Sequence, residues 1–505
     1  MRKRLFIYLC LLLCLPMLAR ADAEETAPAI PEPTAFVSEH RGSFNGSSVH
    51  YVARAGETYL RDADGEPTAS IFSFAYVAKD ASEDRPVTFV WNGGPGSASL
   101  WLHMGTFGPK RVVVPSDASH PGVPPYPIVD ATETILDLTD LVFIDPVGTG
   151  YSRALGDHEG TEFWGLTEDA ASMAEFIKRW LAANGRWNSP KFILGESFGT
   201  TRAALVAKLL EDEYRVALNG LVMISQALDY AGSTPYVRDN LISYVTYVPT
   251  MAATAWHHGK VDREGTDLET FLQDARNFAV DELLPALFRG NALDPQARRR
   301  VRDGLVRFTG LSPTYVERAN LRINGRRFAA ELLRDQGLTV GLNDARYLGD
   351  PVDHLADRPG ADAAGDAFSA AFTGALLSYL HGELGITWER PYLSPADPEL
   401  SKHWNWSRKA PGDTWEPAWV NTAHDLARAL EANPALRVFV AGGYHDLVTP
   451  FFDAEFTLRR HGIGAERVDF RFYHGGHMMY VHEPSRQALL GDVRSFMNGA
   501  LRGAP

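Results

Sequence analysis

Cysteine is nearly missing from this sequence. Its two copies, Cys10 and Cys14, both lie in an apolar run at the N-terminus. A chain without that run has no disulfide, no thiol nucleophile and no thiolate metal ligand. H-E-x-x-H is absent, and His474, His477 and His482 have no Asp or Glu at ligand spacing, so no metal site is expected from the sequence. Walker-type and dinucleotide glycine loops are absent too, so no cofactor is expected. Basic residues are in deficit, 49 Lys and Arg against 63 Asp and Glu, for a net charge of −14. So acidic a chain disfavours nucleic acid and anionic lipid as partners. There is no internal repeat.

The N-terminus carries a targeting pattern. Arg2, Lys3 and Arg4 precede an apolar core from Leu5 to Leu18, and Ala19-Arg20-Ala21 supplies an A-x-A cleavage site. Residues 1–21 are therefore expected to be a signal peptide that directs the chain to the periplasm or outside the cell. Its apolar run is too short for stable membrane insertion. Cleavage would remove four basic residues (Arg2, Lys3, Arg4, Arg20) and no acid, taking the net charge from −14 to −18. The Ala/Glu/Pro-rich stretch 22–34 is expected to be a flexible lead-in.

The most informative segment is Lys191 to Glu211. Phe192, Ile193 and Leu194 read as a buried strand, and Ala203, Leu205, Val206, Leu209 and Leu210 mark a helix. Between them stands Gly195-Glu196-Ser197-Phe198-Gly199, a G-x-S-x-G match. In that sharp turn the glycines make room for a strained serine whose hydroxyl projects above the sheet, and the Phe198 N–H is left free to donate. Ser197 is the candidate nucleophile. Ser152, in Gly150-Tyr151-Ser152, is a rival that lacks a following helix.

A serine nucleophile of this type needs an acid and then a histidine further along the chain. Asp446 follows the strand-like Arg437–Ala441 in a glycine-bearing loop. His477 follows the strand-like Val468–Tyr473 in His474-Gly475-Gly476-His477. His445, His474 and His482 compete with His477, and Asp453, in an apparent helix, competes with Asp446.

Further runs make the pattern specific. Trp91-Asn92-Gly93-Gly94-Pro95-Gly96-Ser97 resembles the W-x-N-G-G-P-G-x-S-S signature of serine carboxypeptidases, the family of carboxypeptidase Y. G-E-S-F-G-T, Asp145-Pro146-Val147-Gly148-Thr149-Gly150-Tyr151-Ser152, the Gly442–Asp446 loop and Gly476-His477-Met478 resemble that family's other blocks, in family order. The likeness spans residues ~70–490. It implies an alpha/beta-hydrolase fold and peptide substrates. It also implies an oxyanion hole from the Gly94 and Phe198 N–H groups, and a site for the substrate's terminal carboxylate at Asn92, Gly93 and Glu196. Glu196 helps there only when protonated, because its anion would repel the substrate. Since eukaryotic members rely on disulfides, the cysteine-poor chain resembles a bacterial member. Three positions depart from the pattern. Trp91 directly precedes Asn92, Ser97 replaces a disulfide cysteine, and Thr106 falls near a second carboxylate-binding acid. A serine esterase or acyltransferase on the same machinery is the alternative.

The expected organisation is α/β: a mostly parallel core in two parts, 35–227 and 421–505, with a helical cap inserted at 228–420. An antiparallel hairpin is expected to open the sheet, and Leu166–Ala183 to form a crossover helix. Leu268–Leu287 and Phe368–Leu384 are expected to be helical within the insertion. His257-His258 and Arg298-Arg299-Arg300, also in the insertion, read as solvated surface. Oligomeric state is left open.

Overall fold

Alternating polarity at the start of the chain builds an antiparallel ribbon from Ala35–Phe44 (β1), Ser47–Arg61 (β2) and Pro67–Ala78 (β3). The computed structural model describes residues 30–503 except 80, 83, 235–239, 264, 395–396, 410–413 and 418. The expected signal peptide lies outside them. Thr34, the last residue of the expected lead-in, is tied down. Its N–H donates to Glu57 Oε2 at 3.0 Å, and its carbonyl accepts from Glu57 N at 2.9 Å.

The apolar runs that follow become the sheet's centre. Val87–Trp91 (β4), Asp140–Asp145 (β5), Lys191–Glu196 (β6) and Gly220–Ile224 (β7) are buried along their whole length. That is the expected state of parallel strands covered by helices on both faces. Arg437–Gly443 (β8) and Val468–Tyr473 (β9) complete the sheet, whose order is β1-β2-β3-β5-β4-β6-β7-β8-β9. The first three strands run antiparallel to their neighbours, and the pairs from β5 to β9 are all parallel. The mostly parallel α/β core is thus present.

Helices fill the crossovers. Leu166–Ala183 (α1), with the predicted bounds, and Phe198–Leu209 (α2) pack on one face. Between residues 228 and 420 the chain divides its allegiance. Val248–His257 (α3), Leu268–Phe278 (α4) and Pro295–Thr309 (α5) bury Met251, Phe271, Phe308 and their neighbours in a separate helical core, joined by Leu447, Phe451 and Phe452. Ala363–Gly382 (α6) instead lays Phe368, Phe372, Leu376 and Leu380 on the sheet, opposite α1 and α2. Leu400 and Trp404 return to the α1 face. Ala423–Ala432 (α7), Phe451–Arg460 (α8) and Glu483–Leu501 (α9) complete the layers.

This order puts the C-terminal ends of β4, β6, β8 and β9 along one rim, where α/β sheets place their sites. Adjacent strands hold the rim in register: Trp91 pairs with Gly195, Glu196 with Ile224, Ile224 with Ala441, and Gly443 with Tyr473.

One buried ion pair braces that rim. Arg202 Nε donates to Asp169 Oδ2 at 2.6 Å and Nη2 to Oδ1 at 3.1 Å, while Nη1 donates to the Asn92 carbonyl at 2.8 Å. Both side chains are buried. Removing one partner of such a pair strands the other charge, at a cost of about 3–5 kcal/mol. Asp169→Ala should show that loss in equilibrium denaturation. A change below about 1 kcal/mol would mean that water solvates the guanidinium.

Candidate active site

Ser197 joins β6 to α2 with φ +59° and ψ −129°, a conformation that non-glycine residues rarely adopt. The surrounding backbone is packed too tightly for side chains. A Cβ on Gly195 would stand 2.4 Å from the Gly199 carbonyl oxygen. One on Gly93 would stand 2.6 Å from both the Glu196 oxygen and the Phe198 nitrogen. The loop after β4 therefore rests directly on the elbow. Trp91 Nε1 donates to the Gly199 carbonyl at 2.8 Å, and Ser197 N donates to the Ile224 carbonyl at 2.9 Å. Among the described residues, no backbone acceptor takes the N–H of Gly94 or of Phe198. Two donors are left available beside Ser197.

The loops after β8 and β9 bring the other two candidates together. His477 Nδ1 lies 2.8 Å from Asp446 Oδ2. Asp446 is fully buried, and its remaining capacity is filled by Val448 N (2.8 Å), Thr449 N (2.9 Å) and Thr449 Oγ1 (2.6 Å). A carboxylate only accepts, so Nδ1 is the nitrogen that donates to it, and Nε2 is left as the one that can exchange a proton. The His477 backbone is held at both ends. Its N–H donates to the Asn343 carbonyl at 2.5 Å, and its carbonyl accepts from Ser225 Oγ at 2.6 Å. Ser197 and His477 line one cavity without a direct hydrogen bond between them. Contacts of that kind commonly tighten only when substrate binds.

The rivals are engaged elsewhere. Ser152 Oγ accepts from Phe72 N at 2.7 Å and donates to the Asp145 carbonyl at 2.6 Å, deep in the core. Asp453 lies beneath Gly232, with one oxygen bonded to Thr457 Oγ1 at 3.2 Å, and burial pushes it up to about 8. His445 and His474 face each other at 3.3 Å, and His482 bonds Ser485 Oγ at 2.8 Å.

Glu196 is 4% exposed, and Tyr480 Oη donates to its Oε2 at 2.7 Å. Burial above all, with the Asp446 charge added, outweighs the pull of His477 and raises the carboxyl to about 7. Beside it stands Asn92, also buried. Asn92 Oδ1 accepts from Leu102 N at 3.1 Å, which aims Nδ2 away from that bond, and Nδ2 has no partner of good geometry. Both residues line a cavity of about 300 Å³ with Gly93, Gly94, Ser197 and His477, walled by Trp101, Phe368 and Met478. On the other side of Ser197 lies a second cavity of about 440 Å³, lined by Phe198, Tyr230, Trp406, Trp419 and Val420. Of the departing positions, Ser97 Oγ accepts from Trp101 Nε1 at 3.0 Å, and Thr106 is buried and lines neither cavity. Tyr480, Thr449, Asn343 and Ser225 were not foreseen. They reach the site from remote segments and carry no motif of their own.

A family model described as serine carboxypeptidase matches residues 52–283, a span that includes the Asn92–Gly94 loop and Ser197 but ends before Asp446 and His477. No curated protein sequence matches the chain. Among solved structures, a prohormone-processing carboxypeptidase of Saccharomyces cerevisiae, Kex1(delta)p, is 15% identical with a TM-score of 0.53, over 89% of this chain and 91% of that one. A putative aryl esterase from Burkholderia cenocepacia is 12% identical with a TM-score of 0.38, over 88% and 99%. The yeast likeness shows a shared fold.

Thr449 offers a direct test of the Asp446 cradle. Thr449→Val keeps the backbone bonds but removes the hydroxyl donor, a loss of about 1–2 kcal/mol in the orientation of the acid–base pair. Turnover should fall about tenfold with the melting temperature nearly unchanged. Unchanged turnover would show that the two N–H donors suffice.

Proposed function

We propose that the chain is a serine carboxypeptidase, a reading supported by the family model over residues 52–283, and that it cleaves the last peptide bond of a peptide through an acyl-enzyme on Ser197. One observation carries the assignment. A buried amide donor without a partner (Asn92 Nδ2) and a buried carboxyl that titrates near neutrality (Glu196) share one cavity with Ser197 and His477. An amide and a neutral carboxylic acid are the donors that a substrate carboxylate needs, and they stand on the leaving-group side.

In this reading the terminal residue occupies the 300 Å³ cavity, its carboxylate on Asn92, the Gly93 N–H and protonated Glu196. The penultimate side chain enters the aromatic 440 Å³ cavity, which favours large apolar residues. Ser197 Oγ attacks the carbonyl carbon as His477 Nε2 takes its proton. The Gly94 and Phe198 N–H groups hold the oxyanion, and Asp446 holds the imidazolium that forms. His477 then protonates the departing amine. Water, activated by the same nitrogen, releases the shortened peptide. Location outside the cytoplasm is part of the proposal. It rests on the Arg/Lys-led apolar N-terminus and on the lack of cysteine beyond it. No helix among the described residues is long and apolar enough to cross a membrane.

The nucleophile is tested by Ser197→Ala. The protein should fold with an unchanged melting curve and lose about 10⁵–10⁶-fold in turnover. Residual activity within about 100-fold of the parent would remove Ser197 from the mechanism.

Glu196 separates peptide from ester chemistry through pH. Its carboxyl is raised to about 7, so it is protonated and able to donate below that pH and anionic above it. Burial disfavours the His477 imidazolium, but the Asp446 charge and hydrogen bond outweigh this and raise its pKa. Both groups therefore shift with pH. Activity on peptides with a free C-terminus should fall relative to that on blocked substrates as pH rises through about 7, as Glu196 ionises against the substrate carboxylate, because the His477 dependence is common to both. Peptide amides and simple esters carry no such carboxylate and should keep their activity there. Glu196→Gln stays neutral and should flatten the decline for free peptides. Superimposable profiles for free and blocked substrates would overturn the carboxylate contact and favour the esterase alternative.

A further inference from the structure

Three histidines that the sequence scatters over more than two hundred positions meet at one point. His257 ends α3, His445 immediately precedes Asp446, and His474 opens the loop that carries His477. One ring nitrogen from each lies within 4.8 Å of the other two. Ring centroids are 5.2 Å apart for His257 and His445, 5.6 Å for His257 and His474, and 4.9 Å for His445 and His474. His257 is exposed, as its sequence context predicts, and the three rings form no spaced motif because they come from three separate elements.

His445 shows that the cluster is more than aromatic packing. It is 1% exposed, its Nε2 lies 3.3 Å from His474 Nδ1, and its Nδ1 has no partner. A buried neutral imidazole needs both nitrogens satisfied, and His445 has only the long contact to another imidazole. Three imidazoles with no thiolate or carboxylate suit a borderline divalent ion of the zinc type, bound at about 2.0–2.1 Å with water in the fourth position. Bonds of that length bring ligand nitrogens to roughly 3.3 Å apart. The His445–His474 pair already has that spacing, and the exposed His257 ring can swing to match it. Arg346 is the nearby cation, and Asp344 neutralises it through a two-pronged ion pair with contacts of 2.6 and 3.0 Å.

We propose that His257, His445 and His474 bind one Zn²⁺, which staples the helical cluster of α3 to the two loops that present Asp446 and His477. The supports are already built. His445 N donates to the Gly475 carbonyl at 2.9 Å, and Ser485 Oγ donates to the His474 carbonyl at 2.6 Å, so two of the three ligands are held in place. The ion would add a polar link between α3 and the loops beside the apolar packing of Leu447, Phe451 and Phe452. The proposal rests on ligand positions and not on the carboxypeptidase reading, and the two can fail separately.

The test uses the full chain, dialysed against chelator and titrated with Zn²⁺ by calorimetry, with Co²⁺ as a spectroscopic probe of coordination. One Zn²⁺ per chain, a rise in melting temperature on binding and a tetrahedral Co²⁺ spectrum are expected. His257→Ala removes a partly exposed ligand at a helix end and should weaken binding at least about tenfold. His258→Ala, its neighbour outside the cluster, and His477→Gln should bind as the parent does. Absence of a stoichiometric ion would overturn the proposal. So would His257→Ala binding as tightly as the parent, or loss of binding in His477→Gln with His257→Ala unaffected, which would put the ion at the acid–base pair.

Discussion

Everything at this site hangs on the contact between two backbone segments, the loop after β4 and the turn after β6. Gly93 lies so close to Glu196 and Phe198 that no side chain fits between them. Ser197 is held at positive φ by neighbours on every side: Ile224 through its N–H, and Gly199 through Trp91. A strained residue persists only where its surroundings overdetermine it. The return is geometric. The same contact leaves two N–H groups beside Ser197 and turns Asn92 so that its amide faces the cavity. Arg202 extends the constraint into the core, since one guanidinium bonds both the Asn92 carbonyl and Asp169. Ser197, the Gly94 and Phe198 N–H groups and Asn92 are therefore one rigid unit rather than three loops.

Electrostatics then divides the carboxyl groups by environment. Asp446 is fully buried but receives three donors besides His477. Glu196 is almost as buried but has one hydroxyl and an unpaired amide nearby, and its carboxyl rises to about 7. Donor count thus distinguishes the two buried carboxyl groups of the site. Asp453, with one hydroxyl and no nearby cation, shows the same rule away from the chemistry.

What was legible in the sequence was local. Buried runs such as Phe192–Leu194 became parallel strands, and the 3.6-residue spacing of Leu166–Ala183 became the crossover helix, because each pattern reports its own exposure. Gly195, Ser197 and Gly199 were readable as a turn, since glycine spacing records backbone crowding. Tyr480, Thr449 and Asn343 were not. Tyrosine, threonine and asparagine occur everywhere, and only three-dimensional proximity gives these copies a role at the site. The stretch 228–420 read as one insertion because helical periodicity says which face is apolar, not which core it joins. α6 presents Phe368 and Phe372 to the sheet, whereas α3 to α5 bury their faces in one another. The histidine cluster escaped for the same reason, as His257 lies far in sequence from the loops that it meets.

The two cavities flanking Ser197 extend this contrast to specificity. On one side the polar contacts come from Asn92, Gly93 and Glu196, residues fixed by the packing that shapes the elbow. Changing them means rebuilding the turn. On the other side Tyr230, Trp406 and Trp419 line the wall from segments between β7 and α7, outside the β4 and β6 loops. They contribute apolar area and ring geometry but no donor to the reacting carbonyl. A pocket of that kind can change size or shape through one aromatic substitution without disturbing Ser197, Gly94 or His477. In the proposed reading, recognition of a chain end is thus built into the same backbone as the chemistry, while selection among side chains is left to parts of the chain that can vary independently of it.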